Sequence, residues 1–169
     1  MHTETLDEIN ETLAEFKNLT STFTEEQLNK VPFEGSWTAG QVSQHMVMAN
    51  SGFAQMLNGP TRETDRNPDE MVVKIKSDFL NFDIKMQSPD FVRPELISYK
   101  KRDLLVSLEG VRTEIGAAVS KLDLTKTCTS FELPVYGFLT RLEAVYFVIY
   151  HTRRHIRQMK NIRSEVMGK

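Results

Sequence analysis

Apolar residues recur every three or four positions in four long stretches of this chain. The first stripe is Leu6, Ile9, Leu13, Phe16, Leu19 and Phe23, with Asp7, Glu8, Glu11, Glu15 and Lys17 between them, which is the period of an amphipathic helix. Thr24-Glu25-Glu26-Gln27 reads as a capping box that opens a short helix, closed by Pro32 and Gly35. A second capping box, Thr38-Ala39-Gly40-Gln41, starts the next long helix, whose stripe runs through Val42, His45, Ala49, Phe53 and Met56 or Leu57. Asn58-Gly59-Pro60 stops it. Thr38, His45 and Gly52 lie seven apart and nearly eclipse one another. The helix surface near His45 is therefore small or polar, and Gly52 points to close approach or empty space there. A pocket is expected beside His45.

After a polar link, Asn67-Pro68-Asp69-Glu70 offers an N-cap, a first-turn proline and first-turn acids. The expected stripe is Val72, Ile75, Phe79, Phe82 and Met86, ended by Pro89 and Pro94, with a loop to about Tyr99. Leu104, Leu108, Val111, Ile115, Val119 and Leu122 define another long helix; Lys100-Lys101-Arg102 at its start reads as a solvated basic cluster, unfavourable to the helix dipole. Residues 125–139, broken by Pro134 and Gly137, are expected to be a loop despite some strand character. A third capping box, Thr140-Arg141-Leu142-Glu143, opens the last helix, which runs to about Arg163 with Ala144, Val148, His151, His155 and Ile162 inward. Four long amphipathic segments with no repeat predict an all-α fold, an antiparallel four-helix bundle with additional short helices, as one domain over residues 1–169.

The chain of 169 residues is long enough to bury a core without staples. A net charge of −2, with 26% charged residues, gives no sign of a nucleic-acid or membrane-surface partner. The longest apolar run, Ala144 to Tyr150, is too short to span a bilayer. The single Cys128 forms no internal disulfide and has no activating neighbour, so it reads as a bystander in a reducing compartment. A cytoplasmic location is the expectation.

The chemistry concentrates in the histidines, of which there are 4. His151 and His155 are four apart on one helix, so they differ by about 40° around its axis and one turn along it. Both can reach one point. His45 lies on the inward stripe of a second helix, whereas His2 sits at the terminus. One histidine on an apolar face is ordinarily a hydrogen-bonded core residue; three on inward stripes, two at ligand spacing, leave a shared divalent metal as an equal alternative. Imidazole suits zinc, nickel, copper and iron. Three histidines without a cysteine leave an open coordination position, the pattern of a catalytic rather than a structural site. Thr152 follows the first histidine of the pair, where a metalloprotease helix carries its glutamate base, so peptide hydrolysis of that type is not expected. Gln44 and Gln158 are candidates to hydrogen-bond behind the ligands, and Arg154 to attract an anionic substrate.

Two segments carry a family resemblance. Trp37-Thr38-Ala39-Gly40-Gln41-Val42-Ser43-Gln44-His45 has the form Trp-Ser/Thr-x-x-Gln-x-x-x-His, and His151-Thr152-Arg153-Arg154-His155-Ile156-Arg157-Gln158 the form His-x-x-x-His-x-x-Gln. Together they resemble the DinB/YfiT-like superfamily of metal-binding four-helix bundles. The resemblance implies His45, His151 and His155 as ligands of zinc, nickel or iron, and a homodimer. It also implies a possible thiol-dependent transferase acting on a small-molecule substrate with a low-molecular-weight thiol. A hydrolase using metal-bound water and a non-catalytic stress-response metal-binding protein are the alternatives. Where the family often places a glutamate after the first histidine, this chain has Asn50-Ser51-Gly52, which weakens any chemistry needing that acid.

Overall fold

The computed structural model describes residues 2–168. Four long helices form the bundle: α1 (His2–Ser21), α3 (Ala39–Asn58), α5 (Lys101–Lys121) and α6 (Arg141–Val166). Shorter helices are α2 (Glu25–Asn29), α4 (Val72–Phe79) and a 3-10 turn at Asp90–Val92. The architecture is all-α, as the periodicity predicts. The loop expected at 125–139 carries some β pairing: a two-residue ladder, β1 (Thr61–Arg62) against β2 (Thr127–Cys128), and isolated bridges Thr127–Thr140 and Leu133–Gly137.

All three capping boxes form. Thr24, Thr38 and Thr140 accept from the backbone of Gln27, Gln41 and Glu143, whose side chains return to the cap N–H. Each satisfies two helix-end donors reciprocally. The basic start of α5 has its own answer: Glu25 Oε1 on α2 accepts the Lys101 N–H at 2.9 Å, placing a carboxylate on the positive end of the helix dipole.

Side-chain pairs fix the helix directions. Arg153 reaches Glu8 (2.8 Å) and Lys160 reaches Glu15 (3.3 Å), so α1 and α6 run the same way. Lys17 meets Glu109 at 2.8 Å, while a Cβ on Gly116 would stand 3.0 Å from the Asn10 amide oxygen, so α1 and α5 are antiparallel. Arg141 Nε donates to the Leu57 carbonyl (2.8 Å), joining the start of α6 to the end of α3; these two are also antiparallel. It follows that α3 and α5 run in the same direction. The chain between them must travel back along the bundle, and residues 59–100 form that crossover.

The crossover differs from the sequence expectation at both ends of α4. Asn67 and Pro68 do not start the helix; it begins at Val72 behind Met71, which has no side-chain cap. The cause is Glu143. Its buried carboxylate pairs with Arg66 and accepts the Met71 N–H at 3.0 Å, holding residues 66–71 against the start of α6. At the other end α4 stops at Phe79 because Arg154 takes the carbonyls of Phe79 (3.1 Å), Asn81 (3.0 Å) and Ile84. Phe82 and Met86, expected on the buried stripe, are exposed as a result.

Two hydrophobic clusters fill the bundle. One packs Ile9, Ala54, Leu57, Ile115, Val145 and Ile149; the other packs Phe16, Phe23, Val42, Met46, Leu104 and Met159. Along α3 and α6 the boundary between them falls at His45–Asn50 and His151–His155. This is a polar waist across the core. His45, Asn50 and Thr152 are buried there, an arrangement that costs stability unless the polar groups are satisfied.

Candidate metal centre

His45 comes to the waist from the first half of α3; His151 and His155 come from consecutive turns of α6. The Nε2 atoms of His45 and His151 are 3.2 Å apart, and those of His155 and His151 are 3.0 Å apart. One ring nitrogen from each residue lies within 4.8 Å of the other two. His45 is buried, while His151 and His155 are half-buried.

The outer nitrogens decide the protonation pattern. His45 Nδ1 stands 2.7 Å from the Val92 carbonyl, which can only accept, so Nδ1 carries the hydrogen. His155 Nδ1 stands 2.7 Å from Gln158 Oε1 and likewise donates. Both Nε2 atoms are then lone pairs aimed inward at His151. A single Nε2–H on His151 could donate well to only one of them, and His151 Nδ1 is itself buried with no partner. The metal-free cluster is thus a set of acceptors short of hydrogens, which a cation would resolve. Donors held tetrahedrally at about 2.0–2.1 Å lie about 3.3 Å from one another, close to the two spacings seen. Ligand imidazoles also characteristically donate their second N–H to a carbonyl or amide oxygen. The residues fit a divalent ion.

The electrostatics agree. Burial is the main cause that pulls His45 below its ordinary range, against the opposing hydrogen bond to Val92. It does the same to His155, down to about 3, with His45 the next cause. His151 is pushed well down by burial and then by His155, His45 and Arg154. Neutral imidazole is the form that binds metal. No carboxylate or cysteine joins the ligand group among the described residues.

Around the rings, Trp37 lies 5.4 Å from His45, and Phe79 and Phe147 lie 5.4 and 5.9 Å from His151, centroid to centroid. Trp37 packs with the second hydrophobic cluster. Of the residues that the sequence places behind the ligands, Gln158 contacts His155. Arg154 turns three N–H groups to the crossover carbonyls. Gln44 is half-buried and makes no hydrogen bond to the rings. His2 faces the Val119 carbonyl and stands outside the cluster. Gly52 is exposed, and nothing lies within 4 Å of a Cβ built there, so this glycine faces open solvent and marks neither a close approach nor a pocket wall. The sequence pattern could not disclose Val92, which acts through its backbone, nor the contact of Phe79 with His151.

Comparison with known proteins places this arrangement. The family model of the DinB superfamily matches residues 8–159. The chain belongs to the DinB superfamily. DinB-like proteins bind metals, and the three histidines of this one could hold a metal ion. It is similar to the uncharacterized protein YuaE of Bacillus subtilis (strain 168), 25% identical over 161 residues, covering 92% of this chain and 93% of that one. No solved structure gives a significant match. No helix among the described residues is long and apolar enough to cross a membrane.

Proposed function

We propose that His45, His151 and His155 hold one divalent ion, zinc or nickel foremost and iron also compatible, and that the protein is a metal-dependent transferase using a low-molecular-weight thiol. The observation that carries this reading is the inward convergence of Nε2 atoms whose Nδ1–H groups are fixed outward by Val92 and Gln158.

Three neutral donors leave the charge of a dication uncompensated within the ligand set. When bound, such an ion supplies Lewis acidity that lowers the pKa of a fourth ligand, a thiol as well as a water. The chain's own part is to orient and to exclude. The Val92 carbonyl and Gln158 hold two rings in one tautomer. Trp37, Phe79 and Phe147 shield the cluster, and the half-buried side of His151 and His155 admits the ligand. A hydrolase needs a base beside the bound water. Glu143, the buried acid of α6, is committed to Arg66, Met71 and its own helix cap, which favours the thiol over the water.

The test is elemental analysis of protein purified without a histidine tag, beside His45→Ala, followed by assay of the loaded protein for thiol consumption with electrophiles. About one equivalent of metal in the parent and a large loss in the variant are expected. Equal metal content would remove His45 from the site, and absence of turnover across thiols and metals would refute the transferase reading.

A further inference from the structure

The segment that follows α4 begins and ends at the histidine cluster. Phe79, the last residue of α4, lies 5.4 Å from His151, centroid to centroid. Val92 presents its carbonyl to His45 Nδ1 at 2.7 Å. The Nε2 atoms of those two histidines are 3.2 Å apart, so residues 80–91 leave the cluster and return to it, as an Ω-loop does.

Little else secures this loop. From Asn81 to Phe91 every residue is exposed except the half-buried Ser88, and Phe82, Ile84, Met86 and Phe91 turn apolar surface to solvent. Among the described residues, two side chains supply the hydrogen bonds that join 81–92 to the helices. Arg154 donates to the Asn81 and Ile84 carbonyls, and His45 to that of Val92. Arg154 stands on α6 between the two histidines and takes the Phe79 carbonyl as well. Arg157 over the Phe82 ring (4.1 Å) and Phe91 beside Phe131 (6.0 Å) are surface contacts. A segment with so few buried contacts opens locally at small cost. Its order is set by the two clasps at the cluster.

We propose that residues 80–91 are a strap that occupation of the three-histidine site fastens, and that the fastened strap retains the ion. The inference rests on the metal reading above and adds a regulation of that same site. His45 belongs to both parts, with Nε2 in the cluster and Nδ1–H on the Val92 carbonyl. Once Nε2 binds a cation, that N–H becomes a charge-assisted donor, roughly twice as strong as the neutral one. The Asp90–Val92 turn is then held down more firmly. By linkage the coupling is reciprocal, so a change that frees the strap weakens ion binding.

The experiment follows amide hydrogen exchange in the full, tag-free chain with and without zinc. The N–H groups of Val92 and Arg93 close on the Pro89 and Asp90 carbonyls, both at 3.1 Å, and report the turn. Their exchange is expected to slow about fivefold or more with zinc, while residues 30–35 exchange alike in both forms. Zinc affinity is then compared between the parent and Arg154→Ala. The charge of Arg154 reaches His151 and His155, so its removal alone would tighten zinc binding, whereas freeing the strap weakens it. A fall of about fivefold is expected; unchanged or tighter binding would overturn the proposal. Arg154→Lys keeps the charge without the planar fork, and serves if the alanine variant does not fold. It too is expected to bind zinc more weakly, and parental affinity there would overturn the proposal. Zinc bound with unchanged exchange at Val92 and Arg93 would overturn the strap alone. Failure of the parent to take up zinc, nickel or iron would overturn the metal reading with it.

Discussion

Acidifying the metal-free protein is expected to destabilise it through its three clustered histidines. His155 is held down to about 3 in the folded chain, by burial first and by His45 second, against about 6.5 when unfolded. The unfolded chain therefore binds a proton that the folded chain refuses. The stability tied to this ring is complete above pH ~6.5 and is lost as the pH falls from there toward 3. Between pH 7.5 and 5.5 one such ring accounts for a loss of about 1.4 kcal/mol. His151 and His45 shift in the same direction. Both add to the loss, out of a total stability that is typically about 5–15 kcal/mol. For a chain of this size the His155 contribution alone lowers the melting temperature by roughly 3–5 °C. The assay is thermal or urea unfolding of chelator-treated, tag-free protein at pH 7.5, 6.5 and 5.5, a window above the ordinary carboxylate range. A variant with His45→Gln, His151→Asn and His155→Gln is expected to show a flat profile. An equal midpoint at pH 7.5 and 5.5 in the parent would refute the reasoning, because the rings would then be taking protons without cost. An equally steep decline in the triple variant would refute it as well.

Replacing Gln158 by Leu removes the acceptor of the His155 Nδ1–H; zinc affinity, read by competition with a chromophoric chelator, is expected to fall about 10–100-fold. Gln158→Glu keeps the acceptor and adds charge, so it should bind zinc at least as tightly as the parent. Arg154→Ala strands the carbonyls of Phe79, Asn81 and Ile84. Amide exchange across residues 79–92 is expected to rise at least tenfold, in proportion to about 1.4 kcal/mol or more of lost local stability, while exchange in α1 stays near that of the parent. Glu143→Ala leaves Arg66 and the Met71 N–H without their carboxylate. Chemical denaturation should report a loss of about 3 kcal/mol, and a change below about 0.5 kcal/mol would contradict the role assigned to that buried acid.

The bundle was legible because local signals and burial agree in the four long helices. Leu104 to Val119 are buried at their helical spacing, and each capping box sits where Thr and Glu or Gln stand three apart. The histidines were legible for the same reason, since ligand spacing is a helical property. The crossover was not. Asn67-Pro68 and the stripe to Met86 carry helix signals, yet two long-range side chains, Glu143 and Arg154, take the backbone groups that a longer helix would have used. The burial of Asn50 was not legible, because Met46 and Asn50 are buried alongside His45 on a face wider than the expected stripe. Nothing in the local sequence marks Val92 as the residue whose carbonyl would fix a ring.

The crossover topology has a consequence for how the protein is made. His45 and His151 are separated by 106 residues, and the segment supplying the Val92 carbonyl leaves the ribosome between them. During synthesis His45 therefore waits without its counterparts until the last helix is released. On the metal reading proposed above, ion capture would have to follow that release. A nascent chain stalled before residue 151 would carry neither the pair of histidines nor the arginine that anchors the crossover, so early truncation products of this protein should be metal-free.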